Sequence, residues 1–331
     1  RDSSKTTGTV ELQIVDKAAS SGRPVNVNSL ASIFAKGFLA GLVVCFALAT
    51  VYLLSVRTVR KESDMKRITS ARCISCIPEV VPKKRSNNKK LKLLITNKRI
   101  DWGFKQSILM IQSRLQQIMR RTGDKVLLIT STIPAEGKTM TSVNMALAFA
   151  QEGLKVALLD GDLRKPSVSE LMKLPEGPGL TEYFRGESMP EEIQVVKDGV
   201  TFFRAGQKKG KVSGLIDEEK MNSLLEKLRK EYDVILMDAA PSYVFSDAMI
   251  LSSYADKVLY VVRVDKADAK EIRVGMNSFE EKEKLIGYVI NRDTGGYISQ
   301  SGYGYGRYGK YQKYRKYAEL DEETMNTEDT L

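Results

Sequence analysis

The chain carries one long uncharged apolar run near its beginning. Residues 37–56, GFLAGLVVCFALATVYLLSV, contain no charged side chain over twenty positions. An α-helix needs about 20 apolar residues to cross about 30 Å of hydrocarbon. A signal peptide has a shorter apolar stretch behind a basic start, and a buried core helix rarely lacks polar residues over its whole length. The pattern therefore predicts a transmembrane helix over 37–56.

Short apolar runs follow in the second part of the chain, separated by amphipathic stretches. They are rich in β-branched residues and fall at 125–131, 155–160, 233–238, 257–263 and 284–290. Short runs of this kind are typical of parallel strands that are buried on both faces, with helices between them. The pattern predicts an α/β domain with a doubly wound, mainly parallel sheet.

Positive charge concentrates directly after the long apolar run. Residues 57–92 hold twelve Lys and Arg against three Asp and Glu, whereas the whole chain has 52 against 41. Basic residues gather on the cytoplasmic side of membrane helices, so we expect the following part of the chain in the cytoplasm. The remaining part is nearly neutral, which argues against a nucleic-acid-binding face.

The chain contains no histidine. This excludes Ser-His-Asp and Cys-His nucleophile systems, a zinc site built on imidazole and a phosphohistidine carrier. Cys73 and Cys76 form a C-x-x-C pair, but no second pair exists that would complete a zinc site. We therefore expect two reduced cytoplasmic thiols.

The first short run leads directly into a candidate phosphate-binding loop. Residues 131–139, STIPAEGKT, stand between this predicted strand and an apolar helix. In such a loop the backbone N–H groups and the helix N-terminus hold phosphates, Lys138 reaches the β/γ oxygens and Thr139 binds Mg²⁺. Thr132 stands where the usual pattern begins with glycine. The predicted nucleotide-binding residues are Pro134, Ala135, Glu136, Gly137, Lys138, Thr139 and Met140.

Acidic residues end two further predicted strands. Asp160 and Asp162 follow one strand, and Asp238 ends another. One such residue alone would indicate a helix cap or a turn. Three of them together with the GKT sequence indicate a phosphoryl-transfer site that uses Mg²⁺.

The motif VALLDGDLRKP at 156–166 resembles the second Walker motif of the bacterial tyrosine kinases (BY-kinases) of polysaccharide synthesis. The resemblance extends over about 101–317. It implies ATP and Mg²⁺ as cofactors, Lys138 and Thr139 at the phosphates, and Asp160 as the base that takes the tyrosine proton. It also implies Asp162 and Asp238 as direct or water-mediated Mg²⁺ partners, and we count Arg164 of the same motif among the catalytic residues.

Half of the fourteen tyrosines lie close to the C-terminal end, with basic residues between them. The last five repeat every three residues, a period that fits neither a helix nor a strand, so we expect a solvated, flexible segment. A basic-aromatic arm for RNA and a sticky low-complexity tail are alternative interpretations. Beside an ATP site, we favour autophosphorylation of Tyr297, Tyr303, Tyr305, Tyr308, Tyr311, Tyr314 and Tyr317.

The resemblance also suggests how the chain is organised. Residues 14–18 and 24–28 are similar to the end of a chain-length-determinant (polysaccharide co-polymerase) domain, and Arg1 as first residue indicates a fragment. The expected order is an extracytoplasmic end of that domain at 1–36, the membrane helix at 37–56, a basic linker at 57–100, a kinase domain at 101–296 and a tyrosine-rich tail at 297–331. The implied location is the bacterial inner or plasma membrane, with polysaccharide synthesis machinery and a cognate tyrosine phosphatase as partners.

Two other functions remain open from the sequence. ParA/MinD-type ATPases share the expected fold, but their loop carries an extra lysine where this chain has Ile133. A catalytically weak scaffold that activates a co-polymerase is the third possibility. Self-association is also open. In BY-kinases the motif Glu-x-x-Arg-x-x-Arg packs subunits into a ring. Its three charged positions align here with the uncharged residues Gln106, Leu109 and Gln112.

Overall fold

A computed structural model describes residues 30–55, 58–80, 93–207 and 214–293. The chain divides into two compact units, Arg1–Val56 and Arg57–Leu331. The first contains one 26-residue helix, α1 (Leu30–Ser55), with solvent-facing apolar side chains. Its segment Leu30–Val51 has the length and composition of a membrane-crossing helix. The helix thus begins seven residues before the predicted span 37–56 and includes Lys36.

The second unit is built on an eight-stranded sheet in the order β1-β8-β7-β2-β6-β3-β5-β4. Neighbouring strands are parallel except β4 and β5. The strands are β1 (Cys73–Pro78), β2 (Val126–Ser131), β3 (Val156–Asp160), β4 (Gln194–Lys197), β5 (Val200–Phe203), β6 (Val234–Asp238), β7 (Lys257–Arg263) and β8 (Leu285–Asp293). The doubly wound, mainly parallel sheet is therefore confirmed, and five of its strands are the predicted ones.

Helices cover both faces of this sheet. They are α2 (Glu62–Met65), α3 (Trp102–Thr122), α4 (Lys138–Gln151), α5 (Val168–Met172), α6 (Leu180–Arg185), α7 (Glu218–Glu231), α8 (Asp247–Tyr254) and α9 (Ala269–Glu280). Side chains of β2 alternate between the two faces: Leu127 and Ile129 pack with α3 and α4, while Val126 and Leu128 pack with α7 and α9. Burial on both faces explains why the strands read as continuous apolar runs.

The folded unit begins earlier than the sequence suggested. The linker was expected over 57–100, but β1 lies within it and pairs in parallel with β8 at one edge of the sheet. Val59 and Met65 are buried in the same core as the sheet, and the Thr58 hydroxyl donates to Asp265 over 2.9 Å. Residues 58–80 are thus part of the α/β domain rather than a connection to it.

Cys73 and Cys76 both lie on β1 as free thiols. Cys76 is buried in the core, and Cys73 packs against the same cluster. The side-chain hydrogen bond with Cys73, together with burial, raises the pKa of the Cys76 thiol above its ordinary value. Both cysteines therefore belong to the sheet, and the Cys76 thiol is held in its neutral form.

Candidate functional site

The loop between β2 and α4 lies at the carboxyl edge of the sheet, as the sequence predicted. Gly137 precedes the first residue of α4 with φ 97°, and a Cβ at this position would come within 2.1 Å of Asn291 Nδ2. Only glycine fits here, because the backbone is left-handed and Asn291 occupies the side-chain space. The loop therefore leads sharply into α4, whose first N–H groups have no partner within the helix and suit an anion.

Lys138, the first residue of α4, extends into a group of carboxylates. Its ammonium lies 2.7 Å from Asp162 Oδ2 and 3.5 Å from Asp238 Oδ2, and the side chain is largely buried. Burial alone would lower the pKa of Lys138, but the charges of Asp238 and Asp162 outweigh it and hold the pKa above its usual value. Lys138 is thus a fully charged cation in a protected site.

Asp238 ends β6 and collects hydroxyl groups from α4. It accepts hydrogen bonds from Thr139 Oγ1 at 2.6 Å and Ser142 Oγ at 3.0 Å. Burial raises its pKa, while Lys138 and the two hydroxyls act in the opposite direction. Sequence reasoning missed Ser142, although its position one turn after Lys138 places it on the same side of α4.

Asp160 ends β3 opposite Asp238 in the register of the two strands. The carboxyl is completely buried; Oδ2 accepts the Val168 N–H at 3.2 Å, and Oδ1 has no hydrogen-bond partner. Burial, together with the negative charge of Asp238, raises the pKa of Asp160 well above its ordinary value. A buried carboxyl with a free oxygen is suited to accept a proton.

Arg164, two residues after Asp162, pairs with a carboxylate outside this group. Its guanidinium forms a two-pronged ion pair with Asp247, with Nη2 to Oδ1 at 3.0 Å, and stacks 4.5 Å from the centre of the Phe245 ring. The side-chain hydrogen bond with Asp247 raises the pKa of Arg164. Two residues that the sequence did not single out, Asp247 and Phe245, thus hold the predicted catalytic arginine.

Glu136 belongs to the loop, but its side chain points inward. The carboxylate is completely buried and accepts the N–H groups of Ile133 at 2.8 Å and Arg263 at 3.2 Å. Burial raises its pKa to about 7. The carbonyl of the same residue accepts Asn291 Nδ2 at 2.7 Å, and Arg263 Nη1 donates to the carbonyl of Ala135 at 3.0 Å. Residues at the ends of β7 and β8 therefore fix the loop from outside.

These residues fit a magnesium nucleotide. The left-handed Gly137, the first N–H groups of α4 and the charged Lys138 suit phosphates, and Thr139 lies beside the Asp238 carboxylate. Among the described residues, no group of three or more Asp, Glu, His or Cys side chains could enclose a metal ion. Mg²⁺ at a nucleotide needs no such cage, because one or two protein ligands, phosphates and waters suffice.

The structure describes only some of the other predicted site residues. The tail tyrosines 297–317 lie outside the described residues. On α3, Gln106 and Leu109 are half-buried, while Gln112 is buried and donates to Gln116 Oε1 at 3.0 Å. None of the three presents a charge on the surface of this helix.

Comparison with known proteins gives a consistent picture. A ParA family profile, described as NUBPL iron-transfer P-loop NTPase, matches residues 123–267. The tyrosine-protein kinase CpsD of Streptococcus pneumoniae is 34% identical over 184 residues, which cover 52% of this chain and 78% of that protein. The kinase domain of the Escherichia coli tyrosine kinase ETK superposes with a TM-score of 0.63 at 25% identity, covering 70% of this chain and 94% of that domain.

Several relatives are much longer than the matched region. The chain spans 40% of the length of a Klebsiella pneumoniae relative at 26% identity, and 27% of the tyrosine-protein kinase etk of E. coli K12 at 28% identity. The similarity to both therefore covers only a part of those proteins.

Proposed function

Because this chain belongs to the family of bacterial tyrosine-protein kinases, we propose that it transfers the γ-phosphoryl group of Mg-ATP to tyrosine hydroxyls. The observation that carries the proposal is the convergence of Lys138, Asp162 and Asp238, with Asp160 paired to Asp238 across the strands. This set combines a fixed positive charge, ligands for Mg²⁺ and a base. A protein that only binds nucleotide does not need the buried base.

Each residue of the set has a separate task in the proposed reaction. When bound, Mg-ATP supplies the phosphoryl group and leaves as Mg-ADP. Lys138 stabilises negative charge on the transferring group. Thr139, Asp162 and Asp238 would hold Mg²⁺, directly or through water, and Ser142 orients the Asp238 carboxylate by its hydrogen bond. As the new oxygen–phosphorus bond forms, the acceptor tyrosine hydroxyl loses its proton to Asp160.

The acceptors in this proposal are the seven tyrosines of residues 297–317. The topology supports this assignment. Strand β8, which precedes them, is parallel to β7, and β7, β2 and β6 are parallel to one another. Asp293 at the end of β8 and Asp238 at the end of β6 therefore lie at the same edge of the sheet.

We also propose a setting for this activity. Helix α1 would attach the chain to the bacterial inner or plasma membrane, with the kinase domain in the cytoplasm beside the basic residues that follow the helix. Regulation of capsular or exopolysaccharide assembly, with a co-polymerase and a cognate tyrosine phosphatase as partners, follows from the family resemblance. The name of the Klebsiella relative, which refers to a cps region, supports it.

The direct test uses the full chain in lipid nanodiscs with Mg-ATP, followed by mapping of phosphotyrosine by mass spectrometry. Lys138→Met removes the positive charge at the transferring group and is expected to lower tail phosphorylation by about 10²-fold or more. Lys230→Met, on the exposed side of α7, is the matched control and should leave the rate unchanged. Nucleotide binding without phosphotyrosine in the wild type would instead support a scaffold.

A further inference from the structure

The two cysteines of β1 lie on the same face of the sheet because the strand contains a bulge. The pairing of β1 with β8 shifts by one residue between Cys73 and Ser75, which leaves Ile74 as the extra residue. Ile74 packs in the core beside α3, whereas Cys73 and Cys76 pack in the core on the opposite face. In a regular strand, residues three positions apart would face opposite sides of the sheet. The bulge therefore turns the C-x-x-C sequence into a pair of neighbouring thiols.

The register also sets a short distance between the two cysteines. Cys73 pairs with Tyr288 and Cys76 with Ile290, so their partners are only two residues apart on β8. At about 3.3 Å per residue in a parallel strand, this corresponds to about 6.6 Å along the sheet. The Cα atoms of a disulfide are usually about 4.4–6.8 Å apart. Because the two thiols already share a side-chain hydrogen bond, a disulfide between them can close with little movement of the backbone.

The two thiols differ in their access to solvent. Cys73 is half-buried, while Cys76 is only 4% exposed. The hydrogen bond with Cys73 and burial raise the pKa of the Cys76 thiol, which therefore keeps its proton. An oxidant reacts with a thiolate that it can reach. A small oxidant thus meets Cys73 first, and Cys76 lies in position to react second.

We propose that Cys73 and Cys76 are a reversible dithiol–disulfide site whose oxidant is a peroxide. The Cys73 thiolate attacks one peroxide oxygen, so that a sulfur–oxygen bond forms, the oxygen–oxygen bond breaks and hydroxide leaves. The sulfur of Cys76 then attacks that of Cys73; the sulfur–sulfur bond forms as the sulfur–oxygen bond breaks and a second hydroxide leaves. The two thiol protons convert both hydroxides to water. Two thiols thus lose two electrons, which reduce hydrogen peroxide to two molecules of water.

The first test maps the product in the full chain, held one per lipid nanodisc and treated with hydrogen peroxide. Trypsin cleaves after Arg72 and Lys83, so residues 73–83 form one peptide that contains both cysteines. We expect mass spectrometry to show this peptide two hydrogen atoms lighter and closed to alkylation. Dithiothreitol should restore both thiols by exchange and become a disulfide itself. A peptide that keeps both thiols after peroxide treatment would overturn the proposal.

Single variants assign the order of the two steps. In Cys76→Ser the second step is blocked, so a sulfenic acid should accumulate on Cys73 and be captured by dimedone. In Cys73→Ser the buried Cys76 should be captured at least about tenfold more slowly. Cys45→Ser, in helix α1, is the matched control and should form the disulfide as the wild type does. Equal rates of capture at Cys73 and Cys76 would overturn the proposed order.

Other uses of the two cysteines would give different results. With two chains per nanodisc, a product that joins the chains instead of closing residues 73–83 would overturn the paired site. Tight binding of Zn²⁺ by the untreated wild type, lost in both Cys73→Ser and Cys76→Ser, would also overturn it, because the thiols would then be metal ligands. None of these readouts is phosphotyrosine, so the result is independent of the proposed kinase activity.

Discussion

Three buried carboxylates around one lysine define the site at the residue scale. Asp160, Asp162 and Asp238 are all nearly inaccessible, and Lys138 is the cation that the structure places among them. Burial raises the pKa of both Asp160 and Asp238, and the charges of neighbouring carboxylates act in the same direction. The excess of negative charge also favours a divalent cation.

Asp160→Asn distinguishes a base from a metal ligand. The variant keeps the shape of the side chain and loses the ability to take a proton, so phosphotyrosine formation should fall by about 10²-fold or more. Nucleotide affinity, measured by titration calorimetry with Mg-ATP, should stay within about threefold. A loss of nucleotide binding would instead assign Asp160 to the metal.

The raised pKa of Asp160 also predicts the pH dependence of the reaction. A base must be unprotonated, so the rate falls as the pH decreases through its pKa. We expect the acid limb of kcat/KM well above the ordinary aspartate value of 3.8, since burial and Asp238 both oppose ionisation. An acid limb near pH 4 would contradict the assignment.

Glu136 makes folding stability depend on pH. Its carboxyl has a pKa of about 7 in the fold against 4.5 in the unfolded chain, so the folded state binds the proton more tightly. Stability from this group is complete below pH 4.5 and is lost as the pH rises through 7. The shift corresponds to at most about 3 kcal/mol. Urea unfolding curves should show a smaller change between pH 5 and 8 in Glu136→Gln than in the wild type; equal changes would contradict this.

The strands at the centre of the sheet could be predicted from the sequence, and those at its edges could not. β2, β3, β6 and β7 are buried on both faces and therefore read as apolar runs. β1 has the sequence CISCIP and follows a basic segment, so its short pattern did not stand out. Its place in the sheet depends on pairing with β8, which is more than two hundred residues away in the chain.

The residues of the candidate site also divide into those that the sequence predicted and those that it did not. Residues within one strand-loop-helix unit, such as Lys138 and Thr139, follow a local pattern and were recognised from it. Ser142, Asp247 and Asn291 were missed, because each acts through a partner on another element. Glu136 was predicted to bind nucleotide, but its side chain turns inward since Arg263, at the end of a separate strand, offers it an N–H group.

At the scale of elements, the packing of β1 against β8 can be tested by substitution of a glycine. Gly287 in β8 has φ 151°, and a Cβ there would lie 2.5 Å from the Arg72 carbonyl and 2.8 Å from the Ile74 side chain. Gly287→Ala should therefore push β1 away from β8. Gly123→Ala is the control, because its φ is 75° and a Cβ there meets no atom within 4 Å.

The two variants are compared by urea unfolding, followed through the fluorescence of Trp102, the single tryptophan. Gly287→Ala should lose about 1–3 kcal/mol more stability than Gly123→Ala, since it adds overpacking to the cost of a left-handed backbone. It should also increase hydrogen exchange in residues 73–78. Equal stabilities would show that β1 contributes little to the domain.

At the scale of the whole molecule, phosphorylation of the tail reverses the sign of the charge on residues 297–317. Residues 297–317 contain five Lys and Arg and no Asp or Glu. Each phosphotyrosine adds about −1.5 to −2 at neutral pH, so modification of all seven tyrosines takes the segment from +5 to about −5.5 to −9. The unmodified segment is attracted to anionic lipid by about 1 kcal/mol per basic residue near the surface, and the modified segment is repelled.

We therefore expect accumulated phosphate to release the tail from anionic surfaces. Synthetic peptides of residues 297–317, unmodified and fully phosphorylated, are titrated with vesicles that contain anionic lipid over a series of salt concentrations. The unmodified peptide should bind at low salt and dissociate as salt screens its charge. The phosphorylated peptide should not bind at any salt concentration, and neither should bind neutral vesicles. Equal binding of the two peptides at low salt would contradict the charge reversal, because the only difference between them is the phosphate.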